Sequence, residues 1–186
     1  MFPERTTARL LLTEIRPSDG ADVLRLFSDP RVVEHYDLEA LTALSQAEAL
    51  IQRFRERCDS GAGIRWAIRP QGSNELIGTC GFNTWTPRTR SAVVGYDLRP
   101  DRWGEGLASE ALAEIVAYAF SGRLPCGELN RIEADTVPGN LRSERVLTRL
   151  GFKQEGLRRE YGYWKNAYHD LKLFALLKRE FVSPTR

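Results

Sequence analysis

Cysteine and histidine are scarce in this chain, three and two among 186 residues. Cys58, Cys80 and Cys126 are widely and irregularly spaced, with no histidine near them at ligand spacing, so neither a disulfide framework nor a zinc site is indicated. His35 and His169 lie too far apart to change that, and no metal is expected. No window approaches 18 consecutive apolar residues, and Met1-Phe2-Pro3-Glu4-Arg5 has no hydrophobic signal core. The chain therefore reads as cytoplasmic, without a membrane partner. An excess of one charge is also missing: 27 Lys+Arg against 25 Asp+Glu leave +2, which argues against a dedicated polyanion binder and so against direct nucleic-acid contact.

What is present is ordinary globular material, 42% hydrophobic and 28% charged. Its length fits one domain over 1–186, with a core from about 9 to 181. The even charge hides an asymmetry. Residues 1–139 carry 16 basic and 20 acidic side chains, whereas residues 140–186 carry 11 and 5. A basic C-terminal part suits a solvated face or, less directly, an anionic ligand.

Leu10, Leu11, Leu12 and Ile15 form a short apolar run before Pro17, read as a strand. Ser18 offers an N-cap for a helix carrying Val23, Leu24 and Phe27, stopped at Asp29-Pro30. A second helix begins at Ser45, where Glu48 completes a capping box, and Ala47, Leu50, Ile51 and Phe54 make its apolar stripe. Three strand-like stretches, 64–69, 75–84 and 90–98, follow with short turn connectors between them, which predicts an antiparallel meander. A helix over 107–120, a strand over 131–137, a helix over 140–150 and strands over 153–160 and 168–177 complete the order β-α-α-β-β-β-α-β-α-β-β. This is an α/β chain with a mixed central sheet.

The most informative segment runs from Val93 to Leu112. A strand feeds a loop, Trp103-Gly104-Glu105-Gly106, that opens directly into the helix Leu107-Ala108-Ser109. Several backbone N–H groups and the positive helix end then converge where an anion can sit, and small residues let a phosphate approach the backbone. Three readings compete. The glycines simply make a turn and cap the helix; or Gly104-x-Gly106-x-x-Ser109 is a dinucleotide fingerprint, disfavoured because the preceding strands read as antiparallel; or the loop holds coenzyme A.

The run Trp103 to Leu112 resembles the acetyl-CoA pyrophosphate loop of the GNAT N-acyltransferases, in the branch containing RimJ and RimL. Asn140-Leu141-Arg142-Ser143, with Leu150-Gly151-Phe152 closing its helix, resembles that branch's N-x-x-S helix ending in L-G-F. Glu155-Gly156-Leu157-Arg158-Arg159-Glu160-Tyr161 and Tyr168-His169-Asp170 agree with it in order and spacing. The resemblance implies a single GNAT fold whose fourth and fifth strands splay apart, with the pantetheine arm in the gap. It also implies acetyl-CoA as co-substrate and an amine as acceptor, either a small molecule or a protein N-terminus.

Acyl transfer to an amine needs a bound pyrophosphate, a polarised thioester carbonyl, a neutral amine and a proton for the departing thiolate. The resemblance assigns the first to Trp103, Gly104, Glu105, Gly106, Leu107, Ala108 and Ser109, and the second to a backbone N–H among Tyr96, Asp97 and Leu98. Many relatives place a thiolate-protonating Tyr seven residues after the Asn, but here that position is Leu147; the RimJ/RimL branch has a Ser at the place of Ser143. Ser143 is thus the candidate acid, against a helix residue bonded to local backbone. Asn140 is expected both to cap the helix and to bond the coenzyme.

Some relatives carry a carboxylate where this chain has Gly162. Glu160, two residues earlier, is expected on the same face if strand pairing is regular and is the candidate base, beside a surface Glu or a water relay. Tyr36, Trp85 and Tyr163 fall where the family forms its acceptor cleft; Tyr163 and Trp164 must point to opposite faces, so at most one lines it. Arg142, Arg145 and Arg149 form one helix stripe, either solvated or beside the 3′-phosphate. A rival reading from another class is a CoA-binding module without catalysis, and the oligomer is expected to be a monomer or homodimer.

Overall fold

Over residues 2–182, which a computed structural model describes, the apolar runs form strands and the 3.6-residue stripes form helices. The strands are β1 (Arg5–Thr6), β2 (Leu10–Glu14), β3 (Ile64–Pro70), β4 (Gly78–Thr86), β5 (Ser91–Leu98), β6 (Arg131–Thr136), β7 (Lys153–Trp164) and β8 (Ala167–Leu177). The α-helices are α1 (Gly20–Phe27), α2 (Pro30–Val33), α3 (Leu44–Asp59), α4 (Leu107–Phe120) and α5 (Leu141–Arg149). The order follows the sequence reading, with the short β1 and α2 added and β7 extended to Trp164. Among the described residues no helix is long and apolar enough to cross a membrane.

The strands join in one sheet, β1-β2-β3-β4-β5-β6-β8-β7, antiparallel at every pairing except β5 with β6. The exception follows from chain path: α4 returns the chain to the start of β5, so β6 enters beside it in the same direction. Each face is covered. Leu12, Trp66, Phe82, Val94 and Ile132 pack with Leu112, Ile115 and Val116 of α4 and Leu147 of α5. On the other face, Ala67 and Leu76 pack with Val23 and Phe27 of α1 and Ala47, Ile51 and Phe54 of α3.

Two helix starts differ from expectation. Ser18 does not cap α1; the chain enters through a 3₁₀ turn at Pro17–Asp19, whose Asp19 carboxylate accepts from Arg16 N at 2.7 Å and pairs with Arg69 at 2.7 Å. Ser45 likewise lies inside α3, and the box forms two residues earlier, at Ala43 and Gln46. Gln46 Oε1 accepts from the amides of Thr42 (2.7 Å) and Ala43 (3.2 Å), so a glutamine reaching backwards satisfies the entering backbone instead of a serine reaching forwards.

Candidate active site

The fold brings one opening to the centre of the sheet. β5 and β6 pair only through Ser91↔Arg131, Ala92↔Ile132 and Val93↔Glu133 and then part. Arg99 N donates to Ile77 O on the β4 side, so by the two-residue period the amides of Tyr96 and Leu98 turn to the opposite edge and line the gap. The Leu98 carbonyl on that edge accepts from the Trp103 indole at 2.7 Å, folding the following loop against the strand end.

Gly104 (φ +85°) and Gly106 (φ +77°) hold the left-handed conformations that turn this loop into α4. Among the described residues, the six backbone amides from Gly104 to Ser109 donate to no protein acceptor. Gly104 has open space where a Cβ would stand, so an anion can approach the main chain closely. The loop is anchored from behind. Arg9 Nη1 donates to Glu105 O at 3.0 Å, while Glu110, in the first turn of α4, accepts from Thr7 Oγ1 (2.6 Å), Arg9 N (2.9 Å) and Arg9 Nε (2.7 Å). Burial pushes the Glu110 carboxyl up, but these donors outweigh it and hold it below its ordinary range.

Across the gap, Asn140 caps α5 by accepting from Ser143 N at 3.2 Å. Ser143 Oγ lies 2.7 Å from Tyr96 Oη, and Tyr96 Oη is 3.1 Å from Ser143 O, so this hydroxyl bonds across the opening. Burial drives the Tyr96 phenol well above its usual range and keeps it protonated. Arg142 stacks on Trp103 at 4.4 Å, a second bridge across the mouth, while Arg145 and Arg149 are exposed. Leu147 is fully buried in the core, so the position of the family tyrosine is a packing residue. Thr136, 4% exposed at the open end of β6 on the α5 side, has a hydroxyl with no partner. Six free loop amides and two strand-edge amides at the gap, with the orphaned Thr136 hydroxyl at the open end of β6, fit a polar, phosphate-ended, extended co-substrate.

On the α1–α3 face a buried side-chain network underlies the same opening. Arg65 donates to Asp97, to Thr79 Oγ1 (2.9 Å), to Asn83 Oδ1 (2.8 Å) and to Tyr36 Oη (3.3 Å), with its guanidinium 5.1 Å from the Phe54 ring. Burial pushes the Tyr36 phenol up to about 12. Asp97, expected to offer only backbone, is thus the counter-ion of a buried arginine. At the edge of this face the β7–β8 turn is tied to α2 by Lys165 Nζ donating to Val33 O at 2.6 Å.

The three aromatic residues expected in the cleft do not converge. Tyr36 reaches this face, but Trp85 pairs with Ala92 on the α4 side and its indole donates to Gly61 O at 2.6 Å. Tyr163 is 62% exposed and packs on Tyr168 on the α5 side, so Trp164 is the residue that faces Tyr36's side of the sheet. Glu160 also departs from expectation. Between Arg158↔Leu171 and Gly162↔His169, three β7 residues oppose one β8 residue; Glu160 sits in this bulge at φ +50° with its amide bonded to Asp170 at 2.8 Å and its side chain exposed. Regular pairing, the premise for placing it with residue 162, does not hold. At Gly162 itself a Cβ would overlap the Trp164 ring, which stacks on His169 with centroids 4.2 Å apart. The indole fills the place of the family carboxylate. Of the alternating pair Tyr163 and Trp164, it is Trp164 that the structure turns to this face, whereas Arg65, Asn83 and Arg9 are not marked as site residues by any local motif.

Among the described residues no cluster of three or more His, Cys, Asp or Glu could hold a metal. Against known proteins, the family model described as "Acetyltransferase (GNAT) domain" matches residues 9–153. The uncharacterized N-acetyltransferase p20 of Bacillus licheniformis is 37% identical over 95% of this chain and 97% of its own, and the uncharacterized N-acetyltransferase YoaA of Bacillus subtilis (strain 168) 35% identical over 96% and 98%. Mycobacterium smegmatis RimJ, solved in complex with CoA-disulfide, superposes with a TM-score of 0.81 at 26% identity over 92% of this chain and 83% of that one.

Proposed function

Given that this chain belongs to the GNAT acetyltransferase family and uses acetyl-CoA to acetylate an amine, we propose that it does so by direct transfer within a ternary complex, the two substrates entering from opposite faces of the sheet. Acetyl-CoA enters on the α4–α5 face and a primary amine, from a protein N-terminus or a small molecule, on the α1–α3 face. The observation that carries this reading is the run of six free amides from Gly104 to Ser109, which leads into a gap whose two faces are furnished differently.

In this reading the loop amides and the positive end of α4 bind the pyrophosphate, with Arg9 bracing the loop. The free amides of Tyr96 and Leu98 hold the arm in the gap and donate to the thioester carbonyl oxygen as negative charge grows there. Ser143, kept at the gap by Asn140 and Tyr96, passes a proton to the departing sulfur. No side chain here is asked to carry the acetyl group, because alignment of the two substrates supplies the rate.

Initial rates measured with acetyl-CoA and a panel of amines (spermidine, tyramine, a tetra-alanine peptide with a free N-terminus) test the proposal. Intersecting double-reciprocal lines are expected. Parallel lines with an isolable acetyl-enzyme would overturn direct transfer. Ser143→Ala is expected to lower kcat about tenfold or more, with acetyl-CoA affinity preserved; an unchanged kcat removes Ser143 from the proton path and leaves the transfer intact.

A further inference from the structure

With Glu160 held in a bulge and the Gly162 position filled by Trp164, the face that receives the amine needs a proton acceptor from another element. Asp135 on β6 meets the geometric demands. It lies two residues beyond Glu133, the last β6 residue paired with β5, so it stands on the wall of the gap where it opens. Past Val93↔Glu133, β5 no longer pairs with it, and over Gly95 on that strand lies the Asn83 amide, held by Arg65. Its neighbours Ala134 and Thr136 face the α4–α5 side, so Asp135 faces the α1–α3 side, with Asp97 and Arg65.

Resting on the reading that the amine enters on this face, we propose that Asp135 is the carboxylate that binds the incoming ammonium group and takes its first proton. The carboxylate is free to do so. Its contacts are to Arg158 Nη1 at 3.4 and 3.5 Å, beyond the usual span of a strong charged hydrogen bond, and that guanidinium is shared with the Tyr161 ring 4.8 Å away. The two carboxylates nearest it in the sheet are committed: Asp97 to Arg65 and Thr79, Glu133 to Arg131 at 2.6 Å.

The charged groups acting on Asp135 are Arg158 from β7 and Glu133 on its own strand; β8 presents Leu173 beside it, with Leu171 and His169 further along. Burial raises its pKa above the ordinary carboxylate value, with Arg158 opposing and Glu133 adding to the rise. That direction suits a group that must accept a proton. The balance is closed. Of the ammonium's three protons, one goes to Asp135 and then to solvent, the nitrogen lone pair forms the C–N bond as C–S breaks, a second proton reaches the sulfur by way of Ser143, and the third stays on the amide.

Asp135→Asn is isosteric and keeps Arg158 hydrogen-bonded. We measure kcat and KM across pH with the best amine of the panel, acetyl-CoA affinity by calorimetry, and melting temperature. Expected are a fall in kcat/KM of about a hundredfold, loss of the acid limb of its pH profile, and unchanged coenzyme affinity and melting temperature. Asp135→Glu is expected to recover part of the rate together with the limb. Affinity for the same amine in the presence of CoA, where no transfer occurs, is expected to fall in Asp135→Asn. Wild-type rate and an intact acid limb in Asp135→Asn overturn the assignment while leaving transfer from this face standing. A wild-type protein that acetylates none of the amines and binds none in the presence of CoA overturns both.

Discussion

The two faces of the central gap are built on different principles. On the α4–α5 face the working groups are mainly backbone amides from one stretch, 96–109, joined by the Asn140 and Ser143 side chains. On the α1–α3 face they are side chains drawn from distant parts of the chain, Tyr36, Arg65, Asn83, Asp97 and Asp135, held by ion pairs and hydrogen bonds. A main-chain site is specified by where the chain turns, and a side-chain site by which residues the fold happens to bring together. Damage to the first should therefore show in coenzyme binding, and damage to the second in stability and acceptor use.

The largest effect is expected from Asp97→Ala. It leaves the Arg65 guanidinium buried without its counter-ion, which costs about 3–5 kcal/mol, read as a drop in the urea midpoint; a loss below about 1 kcal/mol would mean that Thr79, Asn83 and Tyr36 alone suffice to solvate the arginine. Gly104→Val, on the other face, strains a φ of +85° and covers the amides. Stability should fall by only about 1–2 kcal/mol, whereas the acetyl-CoA dissociation constant rises at least about tenfold, or 1.4 kcal/mol. If both changes hit stability equally, the contrast between the faces fails.

Alkaline pH probes both faces together. Tyr36 and Tyr96 have folded-state pKa values raised above the ordinary 10.0, so the stability they contribute is complete below pH about 10 and is lost as pH climbs through their folded values. The double variant Tyr36→Phe/Tyr96→Phe should show a shallower decline of melting temperature above that point. The smallest effect is expected from Arg145→Ala and Arg149→Ala, both exposed, with stability changing by less than about 0.5 kcal/mol and acetyl-CoA affinity unmoved. Arg142→Ala, which removes the stack on Trp103, should weaken binding measurably.

The sequence was readable where chemistry is local. Gly104 to Ser109, the Asn140 cap and the buried stripes of α3 and α4 are each set by residues within a turn or two of one another, and the structure has them where the pattern predicts. What escaped depends on pairing across the sheet. The bulge that carries Glu160 exists only because three β7 residues meet one on β8, which no periodicity in β7 alone reveals. Arg65 and Asp97 are 32 residues apart, and Trp164 covers Gly162 because the strand alternation after the bulge sets both on one face. Even the capping of α3 by Gln46 instead of Ser45 turns on the extended entry of Thr42 and Ala43, a choice that two polar neighbours leave open.

The six free amides of the loop also bear on how such a chain tolerates change. An amide hydrogen is supplied by every residue but proline, so most substitutions at the exposed Glu105 leave its donor in place, provided the glycines still turn the chain. The donor half of the reaction is thus buffered against point mutation. The opposite wall, made of individual side chains, has no such insurance: each of its donors and acceptors is lost with a single replacement.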